Sequence, residues 1–287
     1  MTDEATLPVS RSDEVLRQLE ALSALKCELL ERLAACFPLA SEDADSDAQR
    51  LIKTIELSAE SFDLEFDRVP MAMVDRRSSM ISGPFFTSDE YPIPDTGSGM
   101  MCPVVQLDLK AASAASGDDL GDGLLQFWYD TSDSYPSEGH IRVIPRDAIE
   151  GQEATAFDWA APSDLDESSL PVELWFQRDQ ETVKIIRGLV STGLRSQHSS
   201  IDVHWGELDD QFTDEIRERL QAFREGTEYT NSMHLLGTFY PIQYSASDVG
   251  MKCLFHFPQW GSDGNAQLYY EVCGPDSFDS CFRESVR

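Results

Sequence analysis

The chain has 287 residues, with 22 basic side chains against 52 acidic ones, a net charge of −30, and 41% hydrophobic residues. That hydrophobic content excludes a disordered chain, and the charge opposes direct binding to nucleic acid or anionic lipid, since both need basic surface. The length suits one large or two small domains. The opening MTDEATLPVS has no basic n-region, and no run approaches the ~18 apolar residues of a membrane helix. The expectation is a soluble, cytoplasmic protein. Six cysteines without a C-x-x-C spacing read as reduced packing residues.

In chain order, Val15, Leu19, Leu22, Leu25, Leu29, Leu33 and Cys36 recur at three and four and predict a helix, with Ser10 and Asp13 as its capping box and Pro38 as its stop. A polar stretch follows, in which Asp43, Asp45 and Asp47 imitate the start of a calcium loop. Ala48 stands where the sharp turn wants glycine and Thr54 where a bidentate Glu is required, so the stretch reads as a solvated loop. Ala48, Leu51, Ile52, Ile55, Ala59 and Phe62 then share one face of a second predicted helix, which makes an N-terminal helical hairpin.

From Val69 onward the texture changes to short β-like runs punctuated by Pro, Gly and Asp. Strands are predicted at Val69–Val74, Cys102–Leu109, Gly123–Tyr129, His140–Ile144, Val172–Gln177, Val183–Val190, His234–Tyr240, Lys252–Phe257 and Ala266–Val272. Phe212, Ile216, Leu220 and Phe223 predict one further helix, capped by Thr213 and ended by Gly226. Two hairpin units, PVVQLDL with GDGLLQFWYD and KCLFHFPQW with GSDGNAQLYYEV, echo one another; they read equally well as a duplication or as two ordinary hairpins. The expected domains are a helical segment over 1–66 and an α+β domain over 67–287.

These segments carry a resemblance. Gly83-Pro84, Gln106, Asp108, the Gly123-to-Tyr129 strand, His234, Gly237, Pro241 and Gln243 are similar in pattern to the YwqG-like bacterial family over about residues 81–272. The resemblance implies an α+β fold with a large, strongly bent antiparallel sheet system, and the expected architecture is the N-terminal helical hairpin packed on that sheet, with two pseudo-repeated halves if the hairpin units are a duplication. It does not imply an enzyme. Through the family's recurrence near secreted-toxin loci, it also suggests an immunity factor.

The residues themselves offer little covalent chemistry. There is no G-x-S-x-G, no S-x-x-K and no glycine loop of the phosphate-cradling kind, because Gly97-Ser98-Gly99 and Gly121-Asp122-Gly123 read as turns. His198 and His204 permit a loop metal site and demand none; no metal or cofactor is expected. Acid–base pairs cannot be singled out among so many carboxylates. Gln106, Asp108, Gln126, His234 and Gln243 are the candidate lining of a ligand cleft between the two hairpin units, with buried satisfaction of backbone groups as the competing reading for the two glutamines.

Charge carries the leading expectation. Between Ala111 and Gln180 the bases are Arg142, Arg146 and Arg178, and acids outnumber them several-fold. Clusters at Asp118, Asp119 and Asp122, at Asp130, Asp133 and Glu138, and at Asp164, Asp166 and Glu167 are the candidate partner surface. A basic protein is the expected partner, and a nuclease toxin, whose groove must be positive to hold phosphate, is the natural instance. The chain is thus expected to be a non-enzymatic immunity protein that masks a toxin's active site. A small-ligand binder or enzyme is the alternative.

Overall fold

In a computed structural model of the chain, residues 7–36, 60–95, 101–130, 139–157, 182–193, 233–237, 251–260, 264–274 and 277–286 are described. Among the described residues the β-rich sequence forms eleven strands of one sheet: β1 (Val9–Ser10), β2 (Ser61–Pro70), β3 (Met80–Ile81), β4 (Cys102–Asp108), β5 (Leu124–Tyr129), β6 (Gly139–Ile144), β7 (Thr182–Gly193), β8 (His234–Leu235), β9 (Lys252–Trp260), β10 (Gly264–Gly274) and β11 (Ser277–Val286). The strand order is β11-β10-β9-β8-β2-β7-β3-β4-β5-β6, antiparallel throughout, and β1 adds a short parallel pairing to β7. Among the described residues the α-helices are α1 (Asp13–Cys36), α2 (Leu109–Ser116) and α3 (Arg146–Gly151).

This arrangement corrects the expected α+β architecture of a helical hairpin on two pseudo-repeated halves. The two echoing hairpins, β4–β5 and β9–β10, are segments of one continuous sheet that curls until its ends nearly meet. Phe282 of the terminal strand β11 packs 4.7 Å, centroid to centroid, from Phe127 of β5 and 5.9 Å from Tyr129. On β6, at the other end of the path, Gly139 lies so close to β11 that an added Cβ would sit 3.2 Å from Phe282 Cβ and 2.7 Å from the Phe127 ring. The barrel is closed at this seam by aromatic packing.

The core fills the inside of this near-closed barrel. Phe62, Val105, Leu107, Leu125, Phe127, Leu189, Leu235, Phe255, Phe257 and Leu268 are all at most 1% exposed, and Trp260 stands edge-on to Tyr129 at 4.8 Å. At roughly 1.5–3 kcal/mol for each fully buried large side chain, this interior is the main source of stability. The strand β5 is buried on both faces, which explains its unbroken apolar run LLQFWY. Its inward residues join the barrel core. Outward, Leu124 and Trp128 are covered by the segment around Phe85 and Phe86 and by α3, through Phe86, Ile149 and the Phe85–Trp128 edge contact at 5.0 Å.

Local expectations fare unevenly. The first helix forms, but its cap is Ser12, whose Oγ accepts from Val15 N at 3.2 Å; Ser10 instead pairs with Val190 in β1. Phe62, counted on the second helix, is a buried β2 residue, and positions 48–59 lie outside the described residues. Val69–Val74 is the end of β2 and a single 3₁₀ turn at Met71–Met73. The Val172–Gln177 strand, the Thr213–Gly226 helix and the aspartates at 43, 45 and 47 also lie outside the described residues.

Candidate functional site

On the outer face of the sheet Gln106 and Gln126 face each other in register across β4 and β5, both fully buried. Every polar atom of this pair is engaged. Gln106 Oε1 accepts from Phe86 N at 2.9 Å and from Gln126 Nε2 at 2.8 Å, while its Nε2 donates to the carbonyls of Arg76 at 2.9 Å and Ser78 at 2.8 Å. Gln126 Nε2 also donates to Phe86 O at 2.7 Å, and its Oε1 accepts from Trp128 Nε1 at 3.2 Å and Arg142 Nε at 2.9 Å. The two amides fasten the 76–86 segment to the sheet. A buried amide left unpaired would cost about 1–3 kcal/mol, so saturation is what permits polar side chains here.

Arg142 extends this network to the surface. It occupies β6 opposite Gln126, lies over the Trp128 ring at 5.8 Å, and donates to Pro92 O at 2.7 Å and Tyr91 O at 3.3 Å. Burial pushes its guanidinium down to about 10, because a low-dielectric surround disfavours the charged form. Beside it a cleft of about 420 Å³ opens, walled by Pro92, Ile93, Pro94 and Met101, with His140, Gly139 and Asp95 completing the lining. Burial, and then the neighbouring Arg142 charge, hold the His140 imidazole below its ordinary value. Arg76 is a second half-buried guanidinium, but it spends itself on the carbonyls of Pro84, Phe85 and Thr155 and on the Thr87 hydroxyl.

The remaining residues of the sequence-predicted cleft are dispersed. Asp108 caps α2 by accepting from Ala111 N at 3.0 Å and holds Arg146 through bonds of 2.7 and 3.1 Å. His234 is 2% exposed on β8, its Nδ1 3.4 Å from that of His256 on β9. Gln243 lies outside the described residues. Gln106 and Gln126 are therefore brought together, and Asp108 and His234 are placed elsewhere on the sheet. Arg142 was the missed residue. Its signal was an arginine alternating with apolar residues in HIRVI, inside the strand already predicted at His140–Ile144.

Of the predicted partner surface, the α2–β5 turn is described. Asp118 pairs with Lys252, Asp119 accepts from Gly121 N at 3.0 Å, and Asp122 accepts from Gly123 N at 2.7 Å and from Arg146 at 3.0 Å. These carboxylates shape a turn as well as charging it. Asp130 is half-buried at the end of β5, while Asp133, Glu138, Asp164, Asp166 and Glu167 lie outside the described residues. A second acidic face surrounds α3, where Asp147, Glu150 and Glu153 are exposed beside Glu90. Burial, together with the charges of Glu90 and Asp147, raises the Tyr91 phenol.

Among the described residues no group of three His, Cys, Asp or Glu side chains gathers as a metal site, and no helix is long and apolar enough to cross a membrane. No family model matches the chain, and no curated protein matches it. The resemblance to the YwqG-like family is thus unsupported, and the α+β fold it implied is replaced by the curled sheet described above.

Proposed function

We propose that this chain is a non-enzymatic binding protein whose partner is a basic protein. One observation carries the reading: in a chain of net charge −30, the acidic excess among the described residues lies on the surface. Asp67, Asp75, Asp89, Glu90, Asp147 and Glu150 are all exposed, and exposed acids outnumber exposed bases among the described residues. Such a surface focuses a negative field that attracts and orients a cationic partner while repelling polyanions and anionic membranes. The saturated bonding of Gln106 and Gln126 supports the same reading, since those amides serve the fold.

The specific form of the proposal is an immunity protein that neutralises a cognate secreted toxin, a nuclease being the class whose active-site groove must be basic. The test is affinity capture of the tagged chain from its own cells, followed by reconstitution with the purified captured protein. The expected result is one basic protein in a one-to-one complex, with nanomolar or tighter affinity, burying roughly 1,600 Å² or more. A captured nuclease must also lose activity on addition of the chain. Failure to recover any basic partner from cells that produce the chain would overturn the proposal.

A further inference from the structure

The guanidinium of Arg142 has five N–H donors, of which three are committed: Nε to Gln126 Oε1, one hydrogen of Nη1 to Pro92 O, and one of Nη2 to Tyr91 O. All three acceptors are neutral. Each terminal nitrogen keeps one hydrogen for a further acceptor.

No carboxylate among the described residues pairs with Arg142, in a chain that has 52 acidic residues against 22 basic ones. By contrast, Arg11 pairs with Glu60, Arg146 with Asp108 and Asp122, and Lys252 with Asp118. Arg76 also has no acid partner among the described residues, but its donors close on backbone carbonyls and a hydroxyl, and it does not line the cleft. Arg142 combines the missing counter-charge with a cleft of about 420 Å³, within the range of small-ligand pockets.

From this combination we infer that the Arg142 cleft binds a small organic monocarboxylate, its carboxylate accepting from an uncommitted Nη hydrogen of Arg142 and its apolar body against Ile93 and Met101. Two features narrow the class to monoanions. Asp95 sits in the lining, and the molecule's own field is strongly negative, so each additional charge on the ligand is penalised while the first is met by the guanidinium. The inference is independent of the partner reading above.

The probe is benzoate, titrated calorimetrically into the wild-type chain, with benzamide as its neutral counterpart and inorganic phosphate as a compact, more highly charged anion. Benzoate is expected to bind one site with a dissociation constant of about 1 mM or below, and benzamide and phosphate at least ~10-fold more weakly. Arg142→Lys keeps the charge and loses the planar guanidinium with its uncommitted Nη hydrogens, and should weaken benzoate by about 10-fold or more. Because Arg142 also holds Gln126, Tyr91 and Pro92, His140→Glu is the second variant: it adds a negative charge at the exposed rim and should weaken benzoate comparably. Absence of saturable benzoate binding to wild type, equal binding of benzamide, preference for phosphate, or unchanged binding in His140→Glu would each overturn the inference.

Discussion

Gln126 shows what a single residue does in this molecule. Its amide serves four neighbours at once: Phe86 O, Gln106 Oε1, Trp128 Nε1 and Arg142 Nε. Gln126→Leu preserves bulk and removes all four bonds, so its expected cost is about 2–4 kcal/mol in urea unfolding, the penalty for stranding buried polar groups. A loss under ~0.5 kcal/mol would mean that water or neighbouring groups replace the amide. The glutamines were legible as strand residues because they interrupt apolar runs at a position that alternation places on one face. Their partners were not legible: the acceptors and donors are backbone groups of Arg76, Ser78 and Phe86, at least twenty residues away, and no spacing rule reports them. Asp108 illustrates the same limit. Its capping role follows from the small-residue helix LKAASAAS behind it, whereas its pairing with Arg146 depends on the sheet.

At the scale of elements, the strands of the sheet's two wings, β4–β5–β6 and β9–β10, were readable from alternation and turns. The two-residue strands β1 and β3 were missed as too short to show a pattern, and the two long strands that were missed have their own physical reasons. β2 carries SFDLEFDRVP, whose Phe62 also continues the spacing of the helical face before it and so was read with that helix although Phe62, Leu64 and Phe66 alternate, and β11 carries SFDSCFRESV, whose polar, half-buried sides give little contrast. Yet β11 supplies the seam. Phe282 reaches Phe127 at 4.7 Å and Trp260 at 5.0 Å, joining the two ends of the path. Phe282→Ala is therefore expected to cost about 2–3 kcal/mol and to shift tryptophan emission to longer wavelength as Trp260 gains water. Unchanged stability and emission would show that the seam contributes nothing to closure. The apparent repeat was misleading because both hairpins are segments of one continuous sheet, with no boundary between two halves.

For the whole molecule, charge dominates. With a net −30 on 287 residues the folded state repels itself, and the charges of Glu90 and Asp147 both bear on Tyr91. Raising NaCl from about 20 mM to about 500 mM shortens the Debye length several-fold and should raise Tm by several degrees; a flat or falling Tm would place the acids in compensated pairs instead. The same field underlies the proposed capture of a basic protein, and its effect on encounter can be separated from its effect on folding. The deciding measurement is the association rate of the reconstituted partner as a function of salt, for the wild type and for Glu150→Lys/Glu153→Lys, two exposed positions on the acidic face around α3. The account predicts a rate that falls at least ~10-fold across that salt range and a slower, less salt-sensitive rate in the variant. A salt-independent rate would contradict it.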